Sequence, residues 1–136
     1  MPKTFYIGIK GLIINNNKAL MLKGLTQDSY YWDIPGGRIE EGETIINTLE
    51  RELKEELPSI KNIQVQNLIS TFQLAHTFPT GQGLMLLIYK VNAELPAITL
   101  SNEHCQYRWV SKDDLELPEF KNHLNTEYQK LLNQLL

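Results

Sequence analysis

The sequence predicts an α/β protein, a mixed sheet with helices on both faces. Three observations lead there. Strand-like segments stand on both sides of an amphipathic helical segment at 44–57. Leu84 to Val91 is almost continuously apolar, as suits a central strand covered on both faces. A second amphipathic helix follows the last strand, so helices are available for two sides of one sheet. With 136 residues the chain is long enough for a single domain, 1–136, with a real core.

Each element has its own signal. Phe5 to Ile14 alternates and carries β-branched residues, predicting a strand. Asn15-Asn16-Asn17-Lys18 is a turn, because asparagine tolerates left-handed angles. Ala19 to Lys23 returns as a strand, and Gly24 to Ser29 is a polar loop. Tyr30 to Ile34 is a short apolar approach to the turn Pro35-Gly36-Gly37. Its Trp32 is expected in the core before it is expected to stack on a base. Thr44 to Leu57 is predicted helical: Thr44 is the N-cap, and Ile46, Leu49, Leu53 and Leu57 recur at helical spacing. Pro58 stops it. Ile63 to Ala75 is strand-like, 76–83 is a loop by composition, and 92–101 is an irregular connection around Pro96. Cys105 to Val110 is the last strand. Ser111 with Asp114 three residues on marks a helix start. Phe120 to Leu136 is the final helix, with Leu124, Tyr128, Leu131, Leu132 and Leu135 on one face.

Composition narrows the function. Hydrophobic residues make up 42% and charged residues 21%, ordinary for a soluble globule. The net charge of −3, with no basic run, argues against a partner that is polymeric nucleic acid. It does not argue against a nucleotide enzyme, because bound cations reverse the local sign. One cysteine, Cys105, excludes an internal disulfide and suits a reducing, cytoplasmic setting. The N-terminal stretch shows no h-region and no apolar run approaches membrane length, so no membrane association is expected.

The chemistry concentrates between Gly36 and Glu56. Two glycines let the backbone approach a phosphate without a Cβ in the way. On the helix that follows, Glu52, Glu55 and Glu56 fall within an arc of roughly 100° beside the leucine stripe. Three carboxylates so close repel one another. Their grouping makes sense if it holds a hard cation, and Mg²⁺ or Mn²⁺ often bridges carboxylates to substrate phosphates. Arg51 and Glu43 are candidates for a structural ion pair tying the loop to the helix, in the interior or in solvent. Alone, Glu-x-x-Glu-Glu most often means a solvated face. Together, Gly37, Glu43, Arg51, Glu52, Glu55 and Glu56 would recur by chance at on the order of 10⁻⁷ per start position.

Gly37, five residues, Glu43, seven residues, then Arg51-Glu52-Leu53-Lys54-Glu55-Glu56 resembles the box of the Nudix hydrolases. The resemblance implies an α/β/α sandwich and metal-dependent cleavage of nucleoside diphosphates linked to another moiety. It implies metal ligands at Gly37, Glu52, Glu55 and Glu56, with Mg²⁺ or Mn²⁺ as cofactor. The match ends early. Where the family has a glycine and an aliphatic residue, this chain has Pro58 and Ser59. Proline cannot take the left-handed angle of a glycine cap. The helix must close differently, with Ile60 a candidate for the aliphatic place one residue late.

Other candidates lie around the box. In some family members a glutamate near the position of Glu103 binds metal or serves as general base. A surface acid is the alternative for this one. The catalytic set expected here is Glu52, Glu55, Glu103 and Arg51. Lys10, Lys23 and Arg38 are the cations placed for phosphate contact, Arg38 first because it follows the glycine turn. Phe78 is counted with them as a substrate contact. His76 and His104 are expected as loop or packing residues, and Cys105 as an apolar strand residue. Two functions compete: a pyrophosphohydrolase, and a nucleotide-binding module with a degenerate box. The three intact glutamates favour the enzyme. A nucleoside triphosphate is the expected substrate, with ADP-ribose or a nucleotide sugar as the alternative. A homodimer is left open.

Overall fold

The computed structural model describes the backbone of residues 1–136 and every side chain except those at 76 and 77. The side chain of His76 therefore lies outside the described residues. The strands are β1 (Phe5–Leu12), β2 (Ile14–Asn15), β3 (Lys18–Leu25), β4 (Tyr30–Asp33), β5 (Gly36–Arg38), β6 (Lys61–Thr77), β7 (Gly83–Glu94) and β8 (Gln106–Val110). The helices are α1 (Ile45–Glu56), α2 (Pro118–Lys121) and α3 (Thr126–Leu135), with a 3-10 turn at Asp113–Glu116.

One sheet runs β5-β1-β7-β6. Within it β1 is parallel to β7, and the other pairs are antiparallel, so the sheet is mixed. In the second, β3 pairs with β2, β4 and β8, all antiparallel. Strand β7 sits inside the first sheet and is covered on both faces. Leu86 and Ile88 face the cluster that contains Tyr128, Leu131 and Leu132 of α3. Leu87, Tyr89 and Val91 face the cluster that contains Leu49, Leu53 and Leu57 of α1. Helices thus cover the sheet from two sides, and the architecture is the expected α/β/α sandwich with a mixed sheet.

Helix α1 starts and stops where its residues dictate. Thr44 caps it by accepting from the Asn47 N–H at 3.2 Å. At its exit the Leu57 N–H reaches the Leu53 carbonyl at 2.8 Å, and the Ile60 N–H reaches the Leu57 carbonyl at 2.9 Å. Ile60 is buried in the same cluster as Leu57. Ser59 donates its hydroxyl to the Ala97 carbonyl.

Three segments differ from expectation. Gly36–Arg38 is strand β5 as well as a turn, pairing with Gly8, Ile9 and Lys10 of β1. Strand propensity cannot reveal it, because two glycines carry it. The β6–β7 hairpin is longer than predicted, so the loop between its strands shrinks to 78–82, and β7 reaches Glu94 in the stretch expected to be irregular. The single helix expected over 120–136 is broken. The Trp32 N–H donates to the His123 carbonyl at 2.8 Å, and Trp32 bridges to Leu124, so backbone at 123–124 extends the edge of β4. Asn125 then starts α3 by accepting from the Glu127 N–H at 2.8 Å. The expected Ser111–Asp114 pair forms reciprocal bonds of 2.9 and 3.2 Å and opens the 3-10 turn. No helix among the described residues is long and apolar enough to cross a membrane.

Candidate active site

The apolar face of α1 fixes the direction of its acidic face. Leu49, Leu53 and Leu57 are fully buried against β1 and β3, and Glu52, Glu55 and Glu56 project from the adjoining side. Glu52 and Glu56 meet strand β5 there. Glu56 is 4% exposed, and its Oε1 accepts from the Gly36 N–H at 2.6 Å. Gly36 has φ +142°, and a Cβ on it would run into the carbonyl oxygen of Ile9. A Cβ on Gly37 would occupy the space of the Glu52 carboxylate. The two glycines therefore serve different ends: one supplies a backbone angle, the other room for an acid.

Burial is the main force on Glu56. It pushes the carboxyl up to about 8, against the opposing pull of the Lys10 ammonium and the Gly36 N–H. Burial also raises Glu52, although the Arg51 guanidinium works against it. Glu55 is 57% exposed.

Arg51 ties the loop to the helix. Its Nε and one terminal nitrogen reach the two oxygens of Glu43 at 2.6 and 3.0 Å. The other terminal nitrogen reaches Glu52 at 2.9 Å and Glu55 at 3.4 Å. Glu43 also accepts from the Glu40 N–H at 2.9 Å and the Thr48 hydroxyl at 3.1 Å. The Arg51 hydrogen bonds, followed by that N–H, hold its carboxyl down at about 2. The pair is partly buried, between the two settings that the sequence left open.

Below Glu56 lies a second network. Lys10 Nζ stands 3.1 Å from Asp33 Oδ2, and the Tyr128 hydroxyl donates to Asp33 Oδ1 at 2.9 Å. Burial opposes the charge on Lys10, but Asp33, Glu56 and Glu52 outweigh it and leave the ammonium above its usual value. Burial, then the Asp33 charge, raises Tyr128 well above the ordinary phenol range.

The 101–105 segment approaches from the other side. The Ser101 N–H reaches the Glu56 carbonyl at 3.3 Å, and the Cys105 N–H reaches the Lys23 carbonyl at 2.9 Å. Glu103 and His104 are thereby brought to Glu56, with one donor atom from each of the three within 4.8 Å of the others. Burial keeps the His104 imidazole below its usual value, which favours the neutral ring.

The remaining expected residues divide. The Arg38 guanidinium stacks 4.8 Å from the Tyr6 ring and 5.3 Å from the Phe78 ring, beside Glu52 in a cavity of about 360 Å³. Lys23 turns its ammonium over the Tyr30 ring, 4.3 Å from its centre. Trp32 is 2% exposed and packs on Phe120. Asp33, Tyr128, Tyr6 and the position of His104 were not anticipated as parts of the site. A cavity of about 270 Å³ beside Trp109, Val91 and Leu95 is lined by none of these acids.

The donors suit a divalent cation: Glu56 and Glu103 each bring a carboxylate oxygen, and His104 a ring nitrogen, to within 4.8 Å of one another, and the Glu52 carboxylate fills the space that a Cβ on Gly37 would take.

A family model described as the NUDIX domain matches residues 7–131. The chain belongs to that family. It is a Nudix hydrolase, an enzyme of nucleoside diphosphate-linked substrates. Among its relatives, an 8-oxo-dGTP diphosphatase of Buchnera aphidicola subsp. Schizaphis graminum is 26% identical over 127 residues, covering 90% of this chain and 92% of its own. An RNA pyrophosphohydrolase of Pelagibacter ubique is 22% identical over 147 residues, covering 93% and 90%. The crystal structure of a MutT protein from Methanosarcina mazei Go1 superposes with a TM-score of 0.80 at 20% identity, covering 99% and 95%. That likeness speaks for the fold alone.

Two outcomes follow from the electrostatics. A double-mutant cycle on Glu43→Ala and Arg51→Ala, read by urea unfolding, will show coupling that is full above about pH 4.5 and lost as pH falls toward 2. Zero coupling at pH 7 would contradict the pairing. In metal-free protein, native Glu56 keeps a proton that the unfolded chain has released between about pH 4.5 and 8, so stability falls as pH rises through that window. Glu56→Gln removes this loss. Its melting temperature with chelator at pH 8.5 should exceed wild type by on the order of 5 °C. An unchanged pH dependence would place Glu56 in a different environment.

Proposed function

We propose that the chain hydrolyses a nucleoside triphosphate to the monophosphate and pyrophosphate, with Mg²⁺ or Mn²⁺ held by Glu52, Glu55, Glu56 and the Gly37 carbonyl. One observation carries this. The carboxylate face and a cavity of about 210 Å³ meet at the Lys10–Asp33 pair. Tyr31, Trp32, Leu74, Leu84 and Leu86 line the cavity with apolar surface, and Asp33, Asn125 and Tyr128 add polar groups. A nucleobase has the matching character, with apolar faces and a polar edge. The relative named 8-oxo-dGTP diphosphatase supports a triphosphate over other diphosphate-linked compounds.

The metal, when bound, supplies charge neutralisation at the phosphates and lowers the pKa of water. The protein's residues do the rest. Arg38, clamped by Tyr6 and Phe78, meets a phosphate oxygen with a guanidinium already oriented. Lys10 adds positive charge where the base cavity joins the acids. A water oxygen forms a bond to phosphorus, the bridging P–O bond breaks, and the water proton passes to a carboxylate within hydrogen-bond reach. Glu103 approaches from a separate segment and is exposed, so it serves as that base or completes the metal shell. Glu52 and Glu55 are the other bases available. Arg51 holds both in place.

A panel of nucleotides, assayed with Mg²⁺ for pyrophosphate and monophosphate, should single out nucleoside triphosphates. Preferred release of AMP and ribose 5-phosphate from ADP-ribose would overturn the substrate while leaving the class intact. Glu103→Gln should lower kcat by more than tenfold, about 1.4 kcal/mol or more in the transition state, with little rise in KM. A kcat near wild type across the pH profile would remove Glu103 from the site.

A further inference from the structure

We propose that Glu56, Glu103 and His104 together form a mixed oxygen–nitrogen site that binds Mn²⁺, Co²⁺ or Zn²⁺ in preference to Mg²⁺. The inference deepens the reading of α1 as a metal-binding helix and rests on it, since Glu56 belongs to both. What is new is the imidazole.

His104 makes the case. Its side chain is 7% exposed, yet its Nδ1 has no hydrogen-bond partner among the described residues. A buried polar atom left unpaired is costly and uncommon. The atom stands 3.6 Å from Glu56 Oε2, too far for a hydrogen bond. The other oxygen, Oε1, is already engaged by the Gly36 N–H. Two donors at about 2.1–2.2 Å from one shared ion stand roughly 3.0–3.6 Å apart for ligand angles of 90–110°. The gap between Nδ1 and Oε2 is therefore the size of a bridging cation. Glu103, next in the chain, brings a carboxylate oxygen within 4.8 Å of a ligand atom of each.

Backbone contacts hold the three donors in register. The Ser101 N–H binds the carbonyl of Glu56 itself, and the His104 N–H binds the Ser101 carbonyl at 3.4 Å. The Glu103 N–H takes the Ser101 hydroxyl, also at 3.4 Å. Cys105, directly after His104, anchors to the Lys23 carbonyl of β3. The segment is fastened at both ends, one of them the residue whose side chain supplies the first ligand. Preference among metals follows from the donors. Mg²⁺ takes oxygen ligands in a near-octahedral shell and seldom takes imidazole, whereas imidazole suits the first-row transition metals.

Pulsed EPR on the intact protein with bound Mn²⁺ tests this directly. The spectrum should show ¹⁴N coupling from one imidazole, and His104→Gln should abolish it. By calorimetry, Mn²⁺ should bind wild type about tenfold or more tightly than Mg²⁺, and His104→Gln should shrink that ratio toward one. If His104→Gln does not fold, the variant carrying both His76→Gln and His123→Gln keeps the coupling and assigns it to His104. Absence of ¹⁴N coupling in wild type with Mn²⁺ bound, or its survival in His104→Gln, overturns the proposal. If nucleoside triphosphate hydrolysis with Mg²⁺ persists in that case, the proposed function stands and only the imidazole ligand fails. If neither Mn²⁺ nor Mg²⁺ binds and no nucleotide is cleaved, both fail.

Discussion

The bond from the Gly36 N–H to Glu56 Oε1, 2.6 Å long, is the contact on which the site depends. It pins the last turn of α1 to strand β5 across the end of the sheet. For it to form, β5 must pair with β1 while Gly36 holds an angle that other residues rarely adopt. Gly37 must then lack a side chain so that Glu52 can lie alongside. Pairing with β1 also sets Lys10 opposite Gly36, which delivers the ammonium beneath the acids. One short strand of two glycines and an arginine therefore places the acid Glu56, the Lys10 ammonium and the Arg38 guanidinium at once.

The arrangement sets stability against chemistry. A carboxyl buried as deeply as Glu56 destabilises the empty protein once it ionises, and Lys10 relieves only part of that. Lys10 is itself divided between Asp33 and the glutamates. Asp33 in turn takes the Tyr128 hydroxyl, so α3 is linked through three side chains to the end of α1. The helices on opposite faces of the sheet meet chemically where the cavity beside Trp32 and Tyr128 adjoins the acids. The Glu43–Arg51 pair steadies the near side of the loop in the same way, by a forked contact rather than by deep burial.

Much of this was legible in the chain. The helix Thr44 to Leu57 could be read because its period, cap and proline stop agree, and local signals of that kind survive folding. The covered strand at 84–91 and the Ser111–Asp114 box were legible for similar reasons. What escaped depends on partners distant in sequence. Strand β5 has no strand-forming residues and exists because β1 offers an edge. The break before α3 exists because β4 needs an acceptor for the Trp32 N–H. Asp33 and Tyr128 are separated by 95 positions, and neither carries a motif. His104 looked like a packing residue, and it is packed, but the packing aims its Nδ1 at Glu56. Lys23 lies with its ammonium over the Tyr30 ring, a pairing that a strand sequence does not announce.

The central claim is that burial raises the Glu56 carboxyl to about 8 in the metal-free protein, so that a cation bound there, as proposed, displaces its proton. Calorimetric titration of Mg²⁺ at pH 7, repeated in buffers of different ionisation enthalpy, counts the protons released. Wild type should release close to one proton per cation, and Glu56→Gln close to none. Release of no proton by wild type, or equal release by both proteins, would contradict the account.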